Sequence, residues 1–180
     1  MFNSEEVFTV ENAGPSDLES LSTMVARSFH PVNPYIKSVF PDTPLIRQWF
    51  SSAFADEMNK PAICRVLKAF GSNNTSKTIG ILCLRLMERE ERSSRLYSLN
   101  NTTEDHNREA YDPMINSSAH FLIKLFGVDH AFKDRKIGNM LLSKACQIAD
   151  DADFLQANAR SKDFYREFGF EVQARESMPG

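Results

Sequence analysis

Apolar residues along this chain change period several times, and each change marks an element. Val7–Glu11 alternates apolar and polar, as a strand with one covered face does. Gly14-Pro15 then breaks the chain. Leu18, Leu21, Val25 and Phe29 recur at helical spacing behind Ser16, an N-cap residue with Glu19 as its capping-box partner, so a helix is predicted over Asp17–Phe29. Pro31, Pro34, Pro41 and Pro44 punctuate the next stretch, and a second helix runs from about Leu45 to Met58 with Ile46, Trp49, Phe50, Ala53 and Phe54 along it. The aromatic face Trp49, Phe50, Phe54 serves either as core or as the roof of a pocket. Cys64–Phe70 and Ile79–Met87 are strand-like runs around the turn Gly71–Lys77, which predicts an antiparallel hairpin.

A polar tract follows from Glu88 to about Ser118, anchored only by scattered residues such as Tyr97 and Tyr111. An insertion of this length is either a functional lid or a disordered excursion. The pattern then sharpens. Phe121–Val128 is an apolar strand, residues 129–136 are a polar turn, and Ile137–Ala149 is an amphipathic helix with Ile137, Leu141, Leu142 and Ala145 on its buried side. Phe154–Ala157 is a short strand. Ser161–Phe168 is a last helix closed by Gly169 at C′, and Phe170–Val172 begins a final strand. This order describes one α/β (α+β) domain over 1–180, with a mixed, mostly antiparallel sheet flanked by helices and an insertion at about 88–118.

Composition removes several classes of function. A chain of 180 residues, 42% of them hydrophobic, suits one domain with a proper core. The net charge of −3 carries no nucleic-acid footprint, and no basic run points to a membrane surface. MFNSEEVFTVEN has no basic segment leading into an apolar one, so no secretory signal is expected. Cys64, Cys83 and Cys146 are too widely spaced for a metal pair or a disulfide framework, and a reduced, cytoplasmic setting is expected without a metal. The Asn-x-Ser/Thr triplets at Asn73, Asn74, Asn100, Asn101 and Asn116 are then without consequence.

The join between the Phe121 strand and the Ile137 helix carries the chemistry. A helix start offers unpaired N–H groups and a partial positive charge. Here Lys133, Arg135 and Lys136 surround it, and Gly138 allows close backbone approach. A pyrophosphate suits this place. An ordinary turn with solvated charges is the alternative that the segment alone leaves open.

The closing segment, NARSKDFYREFGFE, contains Asn158, then Tyr165 seven residues on, then Phe168-Gly169-Phe170. It resembles the last motif of the GNAT superfamily of N-acetyltransferases. VDHAFKDRKIGNMLL resembles the same superfamily's cofactor segment, a strand-ending valine, a Q/R-x-x-G-x-G/A loop and a helix. The resemblance is specific over Phe121–Val172 and architectural before it. Lys133 stands where the family has Gln or Arg, Lys136 replaces the first glycine, and Gly138 is retained. A lysine at 136 serves the loop provided its φ is ordinary.

The resemblance implies direct transfer of acetyl from acetyl-CoA to a primary amine. It implies a cofactor site at Phe126, Gly127, Val128, Lys133, Asp134, Arg135, Lys136, Ile137, Gly138, Asn139 and Asn158, with Tyr165 as the general acid. Backbone N–H groups around Phe126–Val128 would polarise the thioester oxygen. The base is open. Leu122 occupies the strand position where some relatives carry Glu or His. Lys124 is a poor base on the same face, His120 is a candidate, and a water relay needs no side chain. The expected partner is a small-molecule amine, with a protein lysine as the other acceptor class, and the expected assembly is a monomer or homodimer. A GNAT-fold protein that binds acyl-CoA without turnover is the alternative. A nucleotide-binding module is disfavoured by the lack of a Walker or GxGxxG sequence.

Overall fold

The computed structural model describes residues 6–29, 34–87, 120–149, 154–157, 162–168 and 170. The polar tract at 88–118 and Asn158, Ser161, Gly169, Glu171 and Val172 lie outside the described residues. The chain divides into two compact units, one of residues 1–85 and 123–148, the other of 86–122 and 149–180.

The first unit is a sheet with helices on both faces. Strand β1 is Phe8–Asn12, β2 is Cys64–Gly71, β3 is Gly80–Met87 and β4 is His120–Val128, and they lie side by side in that order. Strands β1 and β2 pair antiparallel from Phe8 opposite Gly71 to Asn12 opposite Leu67. Strands β2 and β3 form the predicted hairpin, from Cys64 opposite Arg85 to Ala69 opposite Gly80. The Asp129 N–H donates to Ile79 O at 2.8 Å, which joins the end of β4 to the start of β3 and makes that pair antiparallel too. Nearly every residue of β2 and β3 is buried, as expected of strands covered on both faces.

Helices α1 (Leu18–Phe29) and α3 (Pro44–Met58) cover one face. Leu21, Met24 and Val25 of α1 and Phe54 of α3 pack on Val66, Ile81 and Cys83, with Phe50 and Leu125 at the margin. Each such side chain contributes about 1.5–3 kcal/mol by leaving water. Helix α4 (Ile137–Ala149) covers the other face through Ile137, Leu141, Leu142 and Ala145, all of them fully buried. It comes so near the sheet that a Cβ on Gly80 would sit 2.9 Å from Leu141 Cδ1 and 3.0 Å from Ile137 Cγ2. Gly80 thus fixes how deeply the start of α4 can seat.

Several local expectations change. Ser16 does not cap α1. A single 3-10 turn, Pro15–Asp17, precedes the helix, and the Gly14 N–H donates to the Asp17 carboxylate at 2.8 Å. Asp17 wins this role because the same carboxylate accepts from Lys68 Nζ on β2 at 2.7 Å, while Glu11 stands 3.1 Å from that ammonium. The pair is buried and locks the entry of α1 onto the sheet. The proline-rich stretch holds a short helix α2, Pro34–Val39, because a proline at a first turn loses no hydrogen bond. Pro44 likewise opens α3 behind the Thr43 cap. Of the aromatic face, Phe54 is core, whereas Trp49 is 54% exposed and stacks on Phe40.

In the second unit the described elements are β5 (Phe154–Ala157) and α5 (Lys162–Arg166). The last helix is therefore shorter than predicted, ending in a turn in which the Phe168 and Phe170 N–H groups both donate to Tyr165 O. Among the described residues, no helix is long and apolar enough to cross a membrane.

Candidate functional site

Strand β4 ends at Val128, and the chain must then turn to enter α4. Asp129 makes the turn. Its buried carboxylate accepts from the Ala131 N–H at 3.0 Å, and a 3-10 turn runs through His130–Phe132. Phe132, Lys133 and Arg135 each donate an N–H back three residues, to Asp129, His130 and Phe132. Beyond Asp129 the loop is held by these backbone hydrogen bonds. Lys133, Asp134, Arg135 and Lys136 are all exposed.

Two residues of this loop have left-handed backbone, Asp134 at φ 66° and Lys136 at φ 59°. Aspartate tolerates that region; lysine does so at about 1–2 kcal/mol. The condition of an ordinary φ, under which a lysine at 136 is expected to serve the loop, is therefore not met. The backbone adopts there the conformation a glycine would take, and the lysine side chain bears the strain. Such a conformation turns successive N–H groups toward one concavity. Ile137, buried to 1% exposure, then pins the first turn of α4 to the sheet. The first helical bond is from the Met140 N–H to Lys136 O at 3.1 Å, so the N–H groups of Ile137, Gly138 and Asn139 stand at the open end of the helix.

A further cation faces this loop from the β2–β3 turn. Lys77 Nζ lies 5.1 Å from the centroid of the Phe132 ring, which also meets the Phe8 ring edge-on with centroids 6.2 Å apart. Nothing in the sequence marks Lys77, because its neighbour is more than fifty residues away. An open groove of about 520 Å³ continues from Lys136 between β1 and α4, past Asn139, Ser143 and Lys144.

Two further groups belong to the description. Tyr165, in the second unit, is 8% exposed, with its ring against Phe164 at 5.4 Å and Phe170 at 5.2 Å. Burial raises its phenol above the usual tyrosine range, so it keeps its proton at neutral pH. Asn158 lies outside the described residues. On β4, Lys124 is paired with Glu57 of α3. Burial pushes the Glu57 carboxyl up, but bonds from the Cys64 thiol and Lys124 and the charge of Arg85 hold it below its ordinary value. Cys64 in turn is pushed up to about 11, by burial first and Glu57 second.

A strand, a turn with glycine-like backbone and the start of a helix, with exposed Lys133, Arg135 and Lys136 in the turn, follow one another at the end of the fourth strand of this α/β protein. The family model described as acetyltransferase (GNAT) family matches residues 79–170, just over half of the chain, and the chain belongs to that family. No curated protein matches it in sequence. Solved structures share the fold. A Trypanosoma brucei acetyltransferase is 16% identical at a TM-score of 0.61, over 97% of this chain and 99% of that one. The aminoglycoside N-acetyltransferase AAC(6')-Iy, in complex with CoA, is 10% identical at 0.65, over 100% and 98%. Glucosamine-6-phosphate N-acetyltransferase from Arabidopsis thaliana is 9% identical at 0.63, over 97% and 99%.

Proposed function

We propose that this chain is an acetyl-CoA-dependent N-acetyltransferase, acting as one domain over 1–180, which passes acetyl directly to a primary amine of a small molecule. The observation that carries this reading is the left-handed backbone at Lys136. A strained conformation persists where the surroundings impose it, and such places cluster at ligand sites. The loop keeps the shape a diphosphate needs even though lysine has taken the place of glycine.

Each residue then has a role. The N–H groups of Ile137, Gly138 and Asn139 and the loop backbone at Asp134–Lys136 grip the diphosphate of coenzyme A, with Lys133, Arg135 and Lys136 adding charge. The backbone of β4 at Phe126, Gly127 and Val128 receives the pantetheine arm, and an N–H there polarises the thioester oxygen. Asn158 bonds the arm. The amine nitrogen forms a bond to the carbonyl carbon as the carbon–sulfur bond breaks. Tyr165 gives its proton to the departing thiolate, and the surplus proton on nitrogen leaves to water, from which the phenolate takes one back. Two proteins of similar fold, an aminoglycoside N-acetyltransferase and a glucosamine-6-phosphate N-acetyltransferase, act on small molecules by their names, which supports that class of acceptor.

The test is release of free thiol from acetyl-CoA in the presence of primary amines. Tyr165→Phe is expected to lower turnover by about 10²–10⁴ with acetyl-CoA affinity nearly unchanged. Equal loss of both would show that Tyr165 only packs. Binding of acetyl-CoA without turnover on any amine would leave an acyl-CoA-binding protein instead of an enzyme.

A further inference from the structure

Glu57 has no part in the motif, yet α3 delivers its carboxylate to the middle of β4, onto Lys124, 67 residues along the chain. Lys124 is two residues from Phe126, about 7 Å along the strand. The pair therefore meets the same strand as the residues at which the proposed reaction places the thioester, two positions before them. Both side chains are partly open to solvent, Lys124 at 34% and Glu57 at 20%. Among the described residues, Glu57 is faced by the Lys124 ammonium, the Cys64 thiol and, through charge, Arg85 and the buried Cys83.

We propose that Glu57 selects acceptors that carry a second amine: one nitrogen, neutral, attacks the thioester, while the other, an ammonium, replaces Lys124 on the Glu57 carboxylate. This rests on the acetyltransferase reading above. Lys124 is itself a primary ammonium on a flexible four-carbon stem, so an alkylammonium ligand reproduces its chemistry. The exchange swaps one cation for another on Glu57, so the partly buried carboxylate is never left unpaired. The Cys64 thiol keeps its proton and donates to Glu57, which leaves the carboxylate a fixed anion. A fixed anion stabilises an ammonium and opposes its deprotonation, so the nitrogen it holds is the one that does not react. The selected class is the diamines and polyamines, amino sugars with two amines included.

The experiment compares 1,4-diaminobutane with butylamine as acceptors for the full chain, reading thiol release, alongside acetyl-CoA affinity by thermal shift. The wild type is expected to favour the diamine in kcat/KM by at least about tenfold, the worth of one charge-assisted hydrogen bond. In Glu57→Gln that preference should fall to near one through the diamine KM, with acetyl-CoA affinity unchanged. Glu57→Asp should restore part of it. Lys124→Gln, which removes the resident ammonium, should lower the diamine KM, and it serves if the Glu57 variants do not fold. An equal preference in wild type and Glu57→Gln, no preference in wild type, or turnover of neither amine by a protein that binds acetyl-CoA overturns the proposal while sparing the cofactor site. Failure of the wild type to bind acetyl-CoA overturns both.

Discussion

Replacing Lys136 by glycine should make this protein more stable. Lys136 sits at φ 59°, where a Cβ meets the following carbonyl oxygen at a cost of about 1–2 kcal/mol. Glycine removes that cost but brings a more flexible unfolded chain, worth about 0.4–1 kcal/mol the other way. The net expectation is a gain of about 1 kcal/mol, or roughly 2–4 °C in Tm for a chain of this size. Lys136→Ala separates backbone from charge. It keeps the Cβ and the strain and deletes the ammonium, so it should melt near the wild type. Thermal unfolding of the three proteins in one buffer, followed by circular dichroism, measures the difference directly. Acetyl-CoA affinity should fall only modestly and by the same factor in both variants, because the exposed lysine contributes a screened charge while the backbone N–H groups remain. A glycine variant that melts at or below the alanine variant would refute the claim that the loop holds a glycine conformation under protest.

Two other changes probe the frame around the loop. Gly80→Ala should destabilise by about 1–3 kcal/mol in urea unfolding, since its methyl would press on Leu141 and Ile137. It should also weaken acetyl-CoA binding by lifting the start of α4. Asp17→Asn should cost about 3 kcal/mol at neutral pH by leaving Lys68 buried with Glu11 alone. Burial pushes the Asp17 carboxyl up, but the Gly14 N–H and Lys68 hold it below 3.8 overall. A lowered folded value means its stabilisation is complete above the unfolded value and is lost as pH falls through 3.8 toward the folded one. Acid unfolding curves of wild type and Asp17→Asn should therefore converge in that window and stay parallel above about pH 5.

The sequence was informative where a pattern was local. The hairpin of β2 and β3, the amphipathic α1 and α4 and the strand before the loop all follow from period and turn chemistry. Family membership was also legible, in Gly138 and in the Asn158-to-Tyr165 spacing. What escaped was decided by partners far along the chain. Asp17 displaced Ser16 as the residue that starts α1 because Lys68, 51 residues away, holds its carboxylate. Lys77 joins the loop through the Phe132 ring, and Glu57 reaches Lys124, across separations no window covers. The left-handed φ of Lys136 was not legible for another reason. Propensity says lysine avoids that region, but the hydrogen bonds of the 3-10 turn and the seating of Ile137 fix the backbone first, and the side chain accepts what is left.

Whether the loop at residues 133–139 grips a diphosphate is decided by a thermal-shift titration of the unaltered chain. Acetyl-CoA and coenzyme A should each raise Tm with the logarithm of concentration, reaching about 2.7 kcal/mol of stabilisation at a hundredfold excess over Kd. Pantetheine, which lacks the diphosphate, and NAD and ATP, which lack the pantetheine arm, should each fall well short. A flat response to acetyl-CoA, or an equal response to ATP, would contradict such a grip.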